Sequence, residues 1–214
     1  MALIVLVLLA LLADCGGGDE STTEARVYLL RDGKVWPVSR EIDDADVLAR
    51  AVEALRMGPT DEEEDIGLAT EVPESEGMQL SRAALAHLVY TLTQNSSSDS
   101  VDLEGDRYTR RDFEEQTPSV LVESPLSFEE VSSPLQMTGT ANTFEANFNY
   151  ELVDADGNVV DEDFVTATSG TGTRGTFDFT TGDFEDVAAL RVFELSAEDG
   201  SRIHEVEIPL RSAQ

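Results

Sequence analysis

Phe144-Glu145-Ala146-Asn147-Phe148-Asn149-Tyr150-Glu151-Leu152 decides how this chain is read. Phe144, Ala146, Phe148, Tyr150 and Leu152 alternate with Glu145, Asn147, Asn149 and Glu151. Successive side chains of a strand point to opposite faces, so the pattern predicts a half-buried strand with one aromatic face and one wet face. Asp156-Gly157 turns the chain just beyond it. Downstream, Val159 to Thr168, Gly175 to Thr181, Ala189 to Leu195 and His204 to Leu210 have strand character. Upstream, Val120-Leu121-Val122 and Leu135 to Gly139 do too. About seven short strands in about 95 residues predict an immunoglobulin-like sandwich. Its core must hold by packing alone, because the chain has a single cysteine.

Before Pro118 the pattern is different. Val27-Tyr28-Leu29-Leu30 and Val35-Trp36-Pro37-Val38 flank Asp32-Gly33, a two-residue turn signal, and predict a hairpin. Val47, Leu48, Ala51, Val52 and Leu55 form a helical stripe behind the capping acids Asp43, Asp44 and Asp46. Gly58-Pro59 stops that helix. The acids 61–65 are expected to be a solvated loop, and Gly67 to Pro73 a short extended stretch. A second helix is expected from Ser81 to Gln94, then a short strand at Val101-Asp102-Leu103 and a helical turn from Thr109 to Glu115. The fold class is therefore α+β, a small α/β domain followed by an all-β sandwich.

Two resemblances carry specific motifs. Val27-Tyr28-Leu29, Val38-Ser39-Arg40, Ala54-Leu55-Arg56-Met57-Gly58-Pro59-Thr60, Gly67-Leu68-Ala69-Thr70 and His87-Leu88-Val89-Tyr90-Thr91-Leu92-Thr93 resemble the GerM (sporulation and spore germination) domain. Only Glu74 to Leu80 separate Pro73 from the second helix, where that family has a further strand, so this copy is shortened. Ser124-Pro125-Leu126, Ser132-Ser133-Pro134-Leu135, Gly139 to Ala146, Leu152-Val153-Asp154 and Ser169 to Phe177 resemble the immunoglobulin-like domain of bacterial spore germination, often found C-terminal to a GerM domain. The resemblance implies a non-catalytic envelope module, with a possible tie to sporulation or germination and no catalytic residues to carry over.

The start of the chain fits an envelope protein. Residues 2–12 are apolar throughout, about the length of a signal-peptide hydrophobic region and short for a membrane span. Leu12-Ala13-Asp14-Cys15 resembles a bacterial lipobox, which implies lipidation of Cys15 and an extracytoplasmic, membrane-anchored protein. The expected layout is a signal peptide over 1–15, a flexible tether over 16–25, a GerM-like domain over 26–117 and the sandwich over 118–214.

Charge narrows the partners. The chain has 44 acidic and 14 basic residues, a net charge of −30, and Lys34 is its one lysine. Such a surface repels nucleic acid and favours cations or basic partners. Acid-rich, lysine-poor composition also suits a high-salt environment. No catalytic constellation emerges. His87 is expected at the edge of a helical stripe, and His204 at the rim or core of a strand in phase with Val206, Ile208 and Leu210. Asp154, Asp156 and Asn158 alternate like the start of a calcium loop, but the closing position is Val165, and a hairpin turn accounts for the same residues. Neither an enzyme nor a cofactor is expected. The expected partners are other envelope proteins or the cell wall. The alternative is a module binding wall glycan, through the wet face of the 144–152 strand, or calcium.

Overall fold

The computed structural model describes residues 21–73 and 79–213. The proposed leader and Cys15 lie outside them. Strands β1 (Thr22–Arg31) and β2 (Lys34–Asp43) form the expected hairpin, in register from Thr22↔Asp43 to Arg31↔Lys34. Asp32 and Gly33 turn it with φ of 51° and 74°, the double positive φ that this tight turn requires. The strand begins inside the segment expected as tether. Thr22 Oγ1 donates to Glu41 Oε1 at 2.6 Å, and Ala25 is fully buried opposite Arg40. Cross-strand pairing outweighs the polar composition that made 22–25 read as linker.

Both faces of this hairpin are covered, which explains the unbroken apolar run 27–30. Val27, Leu29, Trp36 and Val38 cluster with Ala51, Ala54 and Leu55 of α1 (Val47–Met57). Tyr28, Leu30 and Val35 cluster with Leu85, Ala86, Val89 and Tyr90 of α3 (Arg82–Gln94). The helices start and stop on local chemistry. Asp46 accepts from Ala49 N, Ser81 Oγ accepts from Ala84 N, and Gly58, at φ 83°, ends α1 with its N–H on Ala54 O.

The acids 61–65 are not a loop. They form α2 (Asp61–Asp65), closed by a capping box between Thr60 and Glu63, and Glu63 is buried. The extended stretch after Gly67 contributes one bridge, with Leu30 and Ala69 exchanging both backbone bonds at 2.9 Å. After α3 the strand at 101–103 is joined by a partner that the sequence reading omitted. β3 (Ser100–Leu103) and β4 (Asp106–Thr109) pair across Glu104 and Gly105, both at positive φ. A 3₁₀ stretch, Arg110–Gln116, leads out.

Strands dominate from there on. β5 (Val120–Ser124), β7 (Gln136–Ala141) and β10 (Gly175–Thr180) form a three-stranded sheet in the order β10-β7-β5. β8 (Asn147–Val153), β9 (Val159–Thr166), β11 (Ala189–Leu195) and β12 (Arg202–Pro209) form the facing sheet, in the order β12-β11-β8-β9. The short β6 (Glu130–Val131) and β13 (Arg211–Ser212) pair in parallel beside them. Met137, Phe148, Tyr150, Leu152, Phe177, Leu190 and Val192 belong to the buried core, with the Phe148 and Phe177 rings 4.9 Å apart. Gly139 permits the close approach of the β5 backbone and a β10 side chain. A Cβ there would lie 2.1 Å from Leu121 O and 2.6 Å from Phe177 Cζ.

The strand that opened the sequence reading is shorter than its alternation. Phe144–Ala146 is a 3₁₀ turn with Glu145 and Ala146 at positive φ, and Phe144 is 58% exposed. Thr143 O accepts from both Ala146 N and Thr171 N, so the 169–173 segment turns the chain before it enters β8.

The change of pattern near 118 does not divide the core. Leu121 of β5 packs with Tyr28, Val89, Tyr90 and Phe113. Trp36 Nε1 donates to Ser127 Oγ at 2.9 Å, and Arg211 pairs with both oxygens of Glu62. The Arg110 guanidinium sits 4.8 Å over the Tyr90 ring and donates to Glu123, which also accepts from Tyr28 Oη. Burial and then the Glu123 carboxylate push the Tyr28 phenol well above its usual value.

Candidate interaction surface

The outward face of the four-stranded sheet carries one covered and one bare aromatic ring. Phe193, Asn149 and Phe164 lie in one row across β11, β8 and β9. Phe193 is buried because Arg202 lies over its ring at 4.1 Å. Arg202 in turn grips Glu151 with two bonds, and Glu151 is only 4% exposed. This corrects the expected wet face, in which Glu151 was a free polar group. In a chain so poor in cations, a carboxylate this buried is held by a bidentate guanidinium. Arg191 binds Glu207 Oε2 at 2.6 Å beside it. Phe164 has no such cover and is 66% exposed. The sequence reading placed Phe164 in a strand without singling it out. The available signal was one aromatic following three consecutive acids.

Neither histidine sits where its helical or strand phase puts it. His87 is completely buried rather than at a helix edge. Its Nδ1 lies 2.6 Å from Tyr28 O, and its Nε2 accepts from Glu71 N at 3.3 Å. Those partners suit the neutral ring with the proton on Nδ1. Burial holds its pKa below the usual imidazole value, against the opposing pull of the Tyr28 carbonyl and the Glu71 carboxylate. His204 is exposed, at φ 53°, because the ladder of β11 and β12 slips between Val192 and Glu194. The bulge takes His204 out of phase with Val206 and Ile208. Its Nδ1 lies 2.8 Å from Glu194 Oε1, and Glu194 also accepts from Phe144 N.

The calcium candidates form a hairpin loop. Asp154 Oδ1 accepts from Asp156 N and Asn158 N, and Oδ2 accepts from Asn158 Nδ2. These bonds hold the Asp154 carboxyl below the usual carboxylate range. Asp156 is exposed beside them. Among the described residues no three of His, Cys, Asp and Glu group to hold a metal ion. Nor is any described helix long and apolar enough to cross a membrane.

A cleft of about 510 Å³ opens between the β1–β2 turn and the sandwich, lined by Arg31, Lys34, Trp36, Pro118, His204 and Glu207 among others. Its cations serve the junction. Lys34 Nζ donates to Glu115 O at 2.6 Å, and Arg31 lies over Trp36 while donating to Glu207 O.

The comparisons agree with this architecture where they reach it. No curated protein and no solved structure matches the chain. Two facing antiparallel sheets with a packed aromatic core coincide with a family match over residues 119–201. Those residues match the family model of the immunoglobulin-like domain of bacterial spore germination.

Proposed function

We propose that this chain is a non-catalytic, extracytoplasmic envelope protein. In this reading lipidated Cys15 tethers it to the membrane, and a shortened GerM-like half and the immunoglobulin-like domain present surfaces to other envelope proteins or the cell wall. The observation that carries the proposal is the spore-germination type of immunoglobulin-like domain over residues 119–201. The apolar segment ending at Cys15 supports the location. The β1–β2 hairpin, α1, the Gly58-Pro59 stop and α3, in that order with the short α2 between the last two, support the GerM-like reading of the first half. His87 is fully buried between two backbone groups, which supports a structural role for that ring.

Expression in a bacterial host with a labelled fatty acid tests the tether. The wild-type chain is expected in the membrane fraction carrying label, and Cys15→Ala in the soluble extracytoplasmic fraction without it. A Cys15→Ala chain that stays membrane-bound would sink the tether.

A further inference from the structure

β9 is the outermost strand of its sheet, with β8 as its ladder partner. Its alternation assigns the free groups. Ala167 N donates to Ala146 O, continuing the β8 side, whereas Thr168 N donates to Thr176 O on the opposite side. The N–H and C=O groups of a strand residue point the same way and alternate along the chain, so Glu162, Phe164 and Thr166 aim their backbone groups at the open edge. Phe164 N–H meets only the carboxylate next to it, Asp163 Oδ1 at 2.8 Å. Among the described residues no other strand forms a ladder with this edge, and β10 and the segment after it meet it only at its ends, through Thr168 N on Thr176 O and Gly182 N on Asp161 Oδ2.

Exposed strand edges invite another chain, and proteins blunt them with charge. Here the charge has one sign. Glu162 and Asp163 are exposed on β9, and Asp178, Asp183, Glu185 and Asp186 are exposed on β10 and the segment after it. From 141 to 190 the sole basic residue is Arg174, which is spent on Glu114, Thr140 and Pro118. Pairing two copies along β9 would bring two acidic 161–163 runs to one junction, so the charge disfavours a second copy. A strand bearing lysine or arginine meets both the open backbone groups and the acids, with Phe164 as the apolar anchor.

We propose that the β9 edge, Glu162 to Thr166, docks a basic extended segment of a partner protein by strand addition. This rests on reading the chain as an interaction protein and names the partner's chemistry.

The probe is a short peptide alternating lysine and valine. It is titrated into the full chain, held in neutral detergent, and followed by amide NMR shifts. The largest shifts are expected at Glu162, Phe164 and Thr166. Phe164→Ser is expected to weaken binding about tenfold with an unchanged melting temperature. A peptide of equal charge with proline in place of the central valines is expected to bind about tenfold more weakly, since it loses backbone donors. Equal binding of the proline peptide would reduce the effect to bulk charge and overturn the proposal. So would shifts centred elsewhere, no binding, or a Phe164-dependent dimer in sedimentation, which would assign the edge to a second copy. These failures leave the Cys15 tether test unaffected, and failure of that test leaves the peptide result standing.

Discussion

Replacing Glu63 with alanine is expected to destabilise the protein far more than any other change in the acid run 61–65. Arg40 Nη1 and Nη2 bind the two Glu63 oxygens at 2.8 and 2.6 Å, and Thr60 N donates to the same carboxylate at 2.8 Å. The two side chains are only 17% and 8% exposed. Removing Glu63 leaves the Arg40 charge buried with only the Ser39 and Gly58 carbonyls as acceptors, a loss of about 3 kcal/mol. At roughly 2–4 °C per kcal/mol for a chain of this size, the melting temperature should fall on the order of 10 °C. Thermal melts by circular dichroism read the effect, with urea midpoints as an independent measure. Glu64→Ala, one residue away and exposed, should stay within about 0.5 kcal/mol of wild type. Arg40→Leu with Glu63→Leu should recover most of the loss, because the cost lies in the orphaned charge. A Glu63→Ala chain within about 1 kcal/mol of wild type would refute the buried pair and return 61–65 to a solvated loop.

Other perturbations probe the rest of the molecule. Leu121→Ala should cost about 2–5 kcal/mol while unfolding stays a single transition by both tryptophan fluorescence and far-ultraviolet dichroism. Two separated transitions would refute a core shared across residue 118. His87, with its pKa lowered in the fold, contributes stability that is present above about pH 6.5 and lost as the pH falls below it. The stability difference between wild type and His87→Gln should therefore shrink on acidification through that range, and a difference independent of pH would contradict the neutral buried ring. With a net charge of −30, the melting temperature should rise from low to molar salt, and an unchanged value would remove self-repulsion as a factor.

Much of the fold was legible because its signals are local. Asp32-Gly33 needs only its own backbone to make a hairpin turn, Asp46 and Ser81 cap the residues that follow them, and Gly58 ends a helix by its own φ. The period-2 pattern through Phe148, Tyr150 and Leu152 announces a strand wherever its partners lie. The expected site residues fared differently. His87 has helical phase for a partly covered face, yet both faces of the β1–β2 hairpin are packed, and the side facing α3 closes completely over the ring. The Asp154 turn was legible because its bonds reach only to Asp156 and Asn158.

The amino-acid sequence by itself determined the turns, the helix limits, the strand pattern and the type of the C-terminal domain. Each depends on neighbours a few residues apart. Tertiary structure alone decided which charges are buried and which edge is open. Glu63 finds Arg40 across 23 residues and Glu151 finds Arg202 across 51, so the same residue type is solvated in one place and clamped in another. Phe164 stays bare because β9 ends its sheet, and strand order is set by long-range pairing that the alternation of side chains does not encode.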